Sequence, residues 1–147
     1  MMRPLEGALI VGAAVLFAAP ALAADGPFWH AHAAQEASLV LDQGRKWQTD
    51  APLREGMAKI RAALEKGAEH EALAAAVKGE VALIVQNCRL EPAADAQLHL
   101  VLIQVMAGAE AMEGKVEGES RHAGGQRIAR ALNAYGKHFH HPGWRDL

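Results

Sequence analysis

The sequence predicts an all-α protein, an antiparallel up-down-up-down four-helix bundle that follows a short N-terminal arm. The chain has 147 residues, of which 51% are hydrophobic and 22% are charged, a balance typical of a globular domain. Only 5% are aromatic and 14 are Gly, whereas the strands of a β-sandwich favour β-branched and aromatic residues. Four stretches repeat apolar residues every three or four positions, with short connections between them. This pattern indicates four amphipathic helices packed as antiparallel neighbours.

Charge and motifs exclude several classes of function. The formal net charge is -2 and the isoelectric point is about 6.4, so the chain lacks the basic surface that binds nucleic acid or anionic membranes. The sequence contains no Gly-rich phosphate loop and no strand-turn-helix nucleophile motif. We therefore predict that the protein is not an enzyme.

Residues 1–23 have the pattern of a secretory signal peptide. Arg3 precedes the apolar run Ala8–Ala19, and Ala21-Leu22-Ala23 supplies small residues for cleavage. The apolar run is shorter than the roughly 20 residues that span a bilayer. We predict export to the periplasm, with no membrane association after cleavage. In that oxidising compartment the single cysteine, Cys88, cannot form an internal disulfide.

The exported chain divides into an arm with one short helix at residues 24–48 and the bundle at residues 49–147. Asp50 is placed to cap the first bundle helix, which should end at Gly67. The apolar stripe of this helix consists of Leu53, Met57, Ile60 and Leu64. Its spacing predicts that one face of the helix packs on the core.

The second and third helices should meet at Pro92, because proline is favoured in the first turn of a helix. The stripe of the second helix consists of Leu73, Val77, Val81, Ile84 and Cys88. The stripe of the third helix consists of Leu98, Leu102, Val105, Ala109 and Met112. Further apolar residues lie between these positions on the third helix, so we expect it to be the most buried helix or to cover a partner.

A glycine-containing loop at residues 113–125 precedes the fourth helix and leaves the start of that helix open. The apolar stripe of the fourth helix consists of Ile128, Leu132, Tyr135 and Phe139. The run His141-Pro142-Gly143-Trp144 should stop this helix and turn the chain. Trp144 would then pack back under the bundle as a lid.

Topology brings the residues with metal-binding chemistry to one end of the bundle. In an antiparallel bundle the start of helix one, the end of helix two, the start of helix three and the end of helix four share that end. The sequence places a thioether, a thiol, a phenol and several imidazoles there. These residues are Met57, Cys88, His99, Tyr135, His138, His140 and His141.

Each of these residues also has an ordinary structural interpretation. Met57 lies on an apolar stripe, where methionine commonly fills the core. His99 follows Leu98 and has Asp95 one turn earlier, so it is either an oriented ligand or a buried histidine with one good hydrogen bond. The histidines that end the fourth helix suit a metal ion, or simply the negative end of the helix dipole.

The stretches Asp50–Ile60, which holds Met57, and Leu132–His138 form a second kind of signal. They resemble stretches of cytochrome b562, a family of periplasmic four-helix cytochromes. The resemblance implies the bundle fold, a haem held non-covalently by a Met of the first helix and a His of the last, and electron transfer. Met57 takes the Met position. The family's His follows Asn-Ala-Tyr directly, where this chain has Gly136, and His138 stands two residues further on, about 200° around the helix.

A second resemblance covers Asn87–His99 and the ending His141–Trp144, which are similar to those of exported bacterial proteins. It implies no particular function. Covalent haem attachment in its usual form is excluded because the sequence lacks Cys-x-x-Cys-His.

Two of three functional hypotheses involve a cofactor. The first is an exported electron-transfer protein with haem b, whose iron is bound by Met57 and by His138 or His99, with Tyr135 beside the cofactor. Met and His ligation raises the reduction potential of haem iron, which suits an electron carrier. Such a protein would need a redox partner.

The second hypothesis is a periplasmic protein that binds a copper ion. Met57, Cys88 and His99 would supply sulfur and nitrogen donors suited to Cu(I), and the histidines at the end of the fourth helix would form an entry or second site. Its partner would be a metal donor protein. The third hypothesis is a non-catalytic structural or interaction bundle, with a homodimer among its expected assemblies.

Overall fold

The computed structural model describes residues 38–147, which form four α-helices and no β-strand. The helices are α1 (Ala51–Lys66), α2 (His70–Asn87), α3 (Pro92–Met112) and α4 (Arg121–His138). The predicted all-α class is therefore confirmed. The predicted signal peptide and the first part of the predicted arm lie outside the described residues. Within residues 38–147, none of the helices combines the length and the apolar character needed to cross a bilayer.

The first helix, α1, begins and ends where the sequence predicts. The carboxylate of Asp50 accepts a hydrogen bond from the backbone N–H of Leu53 at 3.0 Å. Gly67 closes the helix in the left-handed conformation, with φ 67°, which glycine adopts without strain. Between these caps Leu53, Met57 and Ile60 are fully buried, so the predicted stripe faces the core.

The third helix, α3, starts at Pro92 and buries more residues than any other described helix, as predicted. Its buried residues are Ala94, Leu98, Val101, Leu102, Val105, Gly108, Ala109, Ala111 and Met112. Cys88 was expected in the last turn of α2 but is the extended residue that follows it. Its backbone N–H still donates to the carbonyl of Ile84 at 2.8 Å, so Cys88 closes the helix instead of continuing it.

The fourth helix, α4, begins earlier than the predicted loop allows. The Ser120 hydroxyl accepts a hydrogen bond from the N–H of Ala123, and Gly124 and Gly125 lie inside the helix. Glycine in a helix interior costs about 1 kcal/mol relative to alanine. At Gly124, however, a Cβ would lie only 2.5 Å from the carbonyl oxygen of Gly108. The prediction of a loop as far as Gly125 is wrong because close packing of α3 and α4 outweighs local propensity.

Contacts within the pair α1–α2 and within the pair α3–α4 follow an antiparallel arrangement. Gly56, early in α1, lies against Ile84, late in α2. Gly108, late in α3, lies against Gly124, early in α4. The two pairs meet mainly through α2 and α3, and their apolar faces form one core. The contacts of these two pairs are those that an up-down-up-down order requires of them.

Residues 38–48 contain no helix, so the helix predicted in the arm is not found in its described part. The chain turns at Gln43-Gly44, where φ is 49° and 83°, values that interrupt any helix. Trp47 then runs beside the end of α4. Its N–H donates to the carbonyl of His138, and its carbonyl accepts from the N–H of His140, both at 2.8 Å. These bonds tie the end of the arm to the end of α4.

Candidate functional site

Polar side chains gather at one end of the molecule, where α1 begins and where α2 and α4 end. The carboxylate of Asp50 accepts a hydrogen bond from the backbone N–H of Arg89 at 2.6 Å, in addition to the one from Leu53. The thiol of Cys88 donates to the same carboxylate. Burial by itself would raise the pKa of Asp50, but these hydrogen bonds lower it below its ordinary value. Asp50 is thus an ionised cap shared by α1 and the end of α2.

Cys88 is held in its protonated form. Its side chain is half-buried, and burial together with the negative charge of Asp50 raises the pKa of the Cys88 thiol to about 12. A reactive cysteine has the opposite environment, with nearby positive charge that lowers its pKa. A metal ion binding here would have to displace the proton that Cys88 donates to Asp50.

Tyr135 and His141 form the second polar contact at this end. Tyr135 is fully buried, and its hydroxyl lies 3.0 Å from Nδ1 of His141. Burial raises the pKa of Tyr135, so the phenol keeps its proton. Burial and the positive charge of Arg54 lower the pKa of His141, so the imidazole is neutral near pH 7. We assign the Tyr135 hydroxyl as donor and the Nδ1 of His141 as acceptor.

Trp144 folds back onto the bundle, as the sequence predicts. Its ring meets that of Tyr135 edge to face, with 4.9 Å between centroids, and lies directly on Gly136. The guanidinium of Arg61, on α1, stands 5.8 Å from the centre of the Trp144 ring. The C-terminal segment therefore covers the last turns of α4 and reaches α1.

The predicted ligands Met57 and His99 lie in opposite environments. Met57 is fully buried in the core, whereas His99 is exposed. The expectation that His99 belongs to a buried stripe is wrong. It follows the buried Leu98 by one residue, which turns it about 100° around α3 and towards solvent.

The remaining predicted ligands are dispersed along the end of α4. Nδ1 of His138 donates to the carbonyl of Ala134 at 2.8 Å, and His140 is exposed. Within residues 38–147, no group of three or more His, Cys, Asp or Glu side chains is arranged to hold a metal ion. The structure therefore places Cys88, Tyr135 and His141 near one another, whereas His99 and His140 are exposed to solvent.

The predicted haem ligands do not fit one open site. Met57 has no exposed surface, so a haem could reach its thioether only if the core opened. The described surface has one groove between α1 and α2 and another beside Trp144. Neither is lined by Met57, His99 or His138.

A different feature stands out on α2, whose outward side is apolar. We call this side the outer face of α2. It consists of seven exposed residues: Ala72, Ala75, Ala76, Gly79, Ala82, Leu83 and Gln86. At 100° per residue they fall within an arc of about 120°. Within this arc Leu83 is 47% exposed.

The sequence holds a signal for this face that the prediction of a single stripe misses. The residues of the outer face recur at intervals of three and four, opposite the buried stripe of α2. Four of the seven are Ala and one is Gly, so a search for large apolar residues gives them little weight. A helix that is apolar on both sides normally has both sides covered.

Comparison with protein-family models, with curated proteins and with solved structures gives no significant match for this chain.

Proposed function

We propose that this chain is an exported, non-catalytic interaction module, and that the outer face of α2 is its partner-binding surface. The observation that supports this most directly is an uncharged arc of seven exposed residues between Ala72 and Gln86. Surface helices usually place charged residues opposite their buried stripe. On α2 small and apolar residues occupy that side instead.

The energetics of α2 favour a covered outer face. Full burial of a Leu or Val side chain contributes about 1.5–3 kcal/mol relative to exposure. Leu83 is 47% exposed, so a partner that covers it recovers part of that free energy. The alanines around Leu83 lose no side-chain entropy when they are covered.

Photo-crosslinking in cells tests the proposed function. The full-length sequence is expressed with a photo-crosslinking amino acid at Leu83, and a matched sample carries it at Gln126, an exposed residue of α4. We expect a discrete crosslinked product from position 83 and none from position 126. The proposal fails if position 83 gives no discrete product, or if both positions give the same products.

Copper binding is a second candidate, because Cys88 and His141 both lie near Tyr135 at one end of the molecule. Thiol sulfur and imidazole nitrogen suit Cu(I). The test is retention of added Cu(I) by purified protein through gel filtration. Retention of one ion that is lost in Cys88→Ser but kept in His122→Ala would support this function. Equal retention in both variants would reject it.

The predicted haem function stays a prediction, and one spectrum tests it. A Soret band in protein purified from the periplasm and lost in Met57→Ala would support it. Colourless protein that takes up no added haem would reject it.

A further inference from the structure

We propose that the groove beside Trp144 is a docking site for an acidic peptide segment of another protein, whose carboxylates are spaced along an extended chain. This inference goes beyond the proposed function, because it concerns a different surface from the outer face of α2. The residues that line the groove come from the arm, from the last turn of α4 and from the C-terminal segment, residues 139–147. They are Lys46, Gly136, Lys137, His141, Trp144 and Asp146.

Charges are unevenly divided along the chain. Residues 121–147, which form α4 and the C-terminal segment, contain five Lys or Arg residues and one Asp. Residues 38–120 contain nine Lys or Arg residues and thirteen Asp or Glu residues. The small net charge of -2 therefore combines a positive C-terminal part with a negative remainder. An acidic partner is attracted to the first and repelled by the second, which orients its approach.

The lysines at the groove are not neutralised by the described part of the chain. Among residues 38–147, no carboxylate lies within ion-pair distance of Lys46 or Lys137. Nζ of Lys46 donates to the carbonyl of Gly136 at 2.6 Å, which holds the ammonium beside the groove and leaves its other N–H groups available. Asp146 is the one acidic residue that lines the groove, so positive charge is in excess there.

The negative end of the α4 dipole does not cancel this charge. Besides the carbonyl of Gly136, that of His138 is bonded, by the backbone N–H of Trp47 at 2.8 Å. These bonds reduce the negative potential that the end of a helix otherwise presents. Burial and the positive charge of Arg54 both lower the pKa of His141, so the field of Arg54 reaches the groove from α1.

The indole N–H of Trp144 is a buried donor without an acceptor. Among residues 38–147 no atom accepts a hydrogen bond from Nε1 of Trp144, which lies against Gly136 at the groove. Leaving a buried donor unsatisfied costs free energy. A carboxylate in the groove supplies the acceptor after a tilt of the indole ring. The Trp144 side chain therefore favours an acidic ligand as the two lysines do.

The groove suits an extended acidic segment better than a membrane surface. The ring of Trp144 packs edge to face on Tyr135 and lies on Gly136, so it is not placed to insert into a bilayer. Clusters that bind anionic lipid contain about four to eight Lys or Arg residues, whereas two lysines line this groove. Two ammonium groups and one indole N–H together call for more than one carboxylate, which an acidic segment provides along one chain.

Heteronuclear NMR of the purified protein with acetylated hexaglutamate tests this inference. The indole N–H resonance of Trp144, assigned with Trp144→Phe, should shift as the peptide binds. The indole resonance of Trp47 should not shift, because its N–H already donates to the carbonyl of Val40 at 2.7 Å. Binding should weaken several-fold as salt is raised from a low to a physiological concentration.

Charge variants of exposed residues separate the groove from the overall charge of the chain. Lys137→Glu should weaken binding several-fold, and Asp146→Asn should strengthen it. The matched control is Lys66→Glu at the far end of α1, which makes the same change in net charge and should bind like wild type. Far-UV circular dichroism checks folding, and Lys137→Gln replaces Lys137→Glu if that variant does not fold.

Four results overturn the inference. They are an unshifted Trp144 resonance at millimolar hexaglutamate, equal weakening by Lys137→Glu and Lys66→Glu, an equal shift with the small acid glutarate, and binding to phosphatidylglycerol vesicles without binding to hexaglutamate. None of them bears on the proposed function, because Leu83 does not line the groove and Gln126 precedes Lys137 by about 16 Å along α4. The crosslinking experiment therefore fails or succeeds independently.

Discussion

Glycine lies on a small-residue helix face at two places in the molecule. One is the contact between α3 and α4, and the other is the outer face of α2. The two places differ in what covers the glycine. Gly108 and Gly124 let two backbones approach so closely that a Cβ at either position would lie within 3 Å of the other helix. Gly79 lies on a similar small-residue face, yet nothing among residues 38–147 approaches it within 4 Å. A small-residue helix face in this chain can thus serve as a packing surface, and α2 has one more such face than its described neighbours cover.

Substitution of Gly124 should have the largest effect. In Gly124→Ala the new Cβ would meet the carbonyl oxygen of Gly108 at 2.5 Å and the N of Met112 at 2.8 Å, both backbone atoms that cannot rotate away. We expect a loss of about 2 kcal/mol in the free energy of unfolding, or roughly 8 °C in Tm. The matched control is Gly125→Ala, with open space around its Cβ within residues 38–147. Thermal denaturation in which both variants match wild type would contradict this account.

Removal of Trp144 should have the next largest effect, because its ring joins the α3–α4 pair to α1. Trp144→Ala loses the contacts with Tyr135, Gly136 and Arg61. Since Trp144 is only half-buried, we expect a cost of about 2 kcal/mol, less than for a fully buried Trp. Trp144→Phe should retain most of the stability. Urea denaturation checks both variants, and equal stability of wild type and Trp144→Ala would exclude a packing role for this segment.

Removal of the Asp50 carboxylate should cost about 1–2 kcal/mol, the usual range for an N-cap. Asp50 accepts from Leu53 and Arg89, so Asp50→Ala weakens both the start of α1 and its link to the end of α2. The pKa of Asp50 is lowered in the folded chain. The contribution of the Asp50 carboxylate to the free energy of unfolding is therefore complete above the pKa of about 3.9 that this group has in the unfolded chain. That contribution is lost as pH falls through the lower pKa of Asp50 in the folded chain.

The pH series for this prediction compares wild type with Asp50→Ala by thermal denaturation. The difference in Tm should be largest near pH 7 and should shrink below about pH 4. Asp50→Asn, which keeps one acceptor oxygen, is the matched control and should fall between the two. A difference that stays constant down to the lowest pH would contradict the role of the ionised carboxylate.

Substitution of Gly79 should have the smallest effect on the monomer, and with the opposite sign to Gly124. Gly79→Ala restricts the unfolded chain and meets no described neighbour, so we expect a gain of about 0.5–1 kcal/mol at low protein concentration. Gly125→Ala should give a similar gain. A loss of stability in Gly79→Ala under these conditions would show that the position is already packed within one chain.

Local signals in the sequence were sufficient for much of the fold. Asp50, Gly67 and Pro92 predict helix ends because caps depend on a few neighbouring residues. The start of α4 was not predictable in this way, since Gly124 is unfavourable for a helix by itself and is tolerated through its contact with Gly108. That contact joins residues distant in sequence.

The candidate sites depend more strongly on long-range geometry. Topology correctly brings Cys88, Tyr135 and His141 to one end, whereas the exposure of His99 depends on a single step around α3. The hydrogen bonds from Cys88 and Arg89 to Asp50 link the start of one helix to the end of the next, which spacing alone does not reveal. Predicted roles for Met57, His138 and His140 in haem or copper binding stay predictions.

Cysteine labelling at Gly79 tests most directly whether a partner covers the outer face of α2. The experiment uses Gly79→Cys in a Cys88→Ala background, with Ala96→Cys in the same background as the control. A covered thiol is shielded from solvent, so a maleimide should label the Gly79→Cys protein in cells more slowly than the control, and should label the two purified proteins at the same rate. Equal rates of labelling of both proteins in cells would contradict the account.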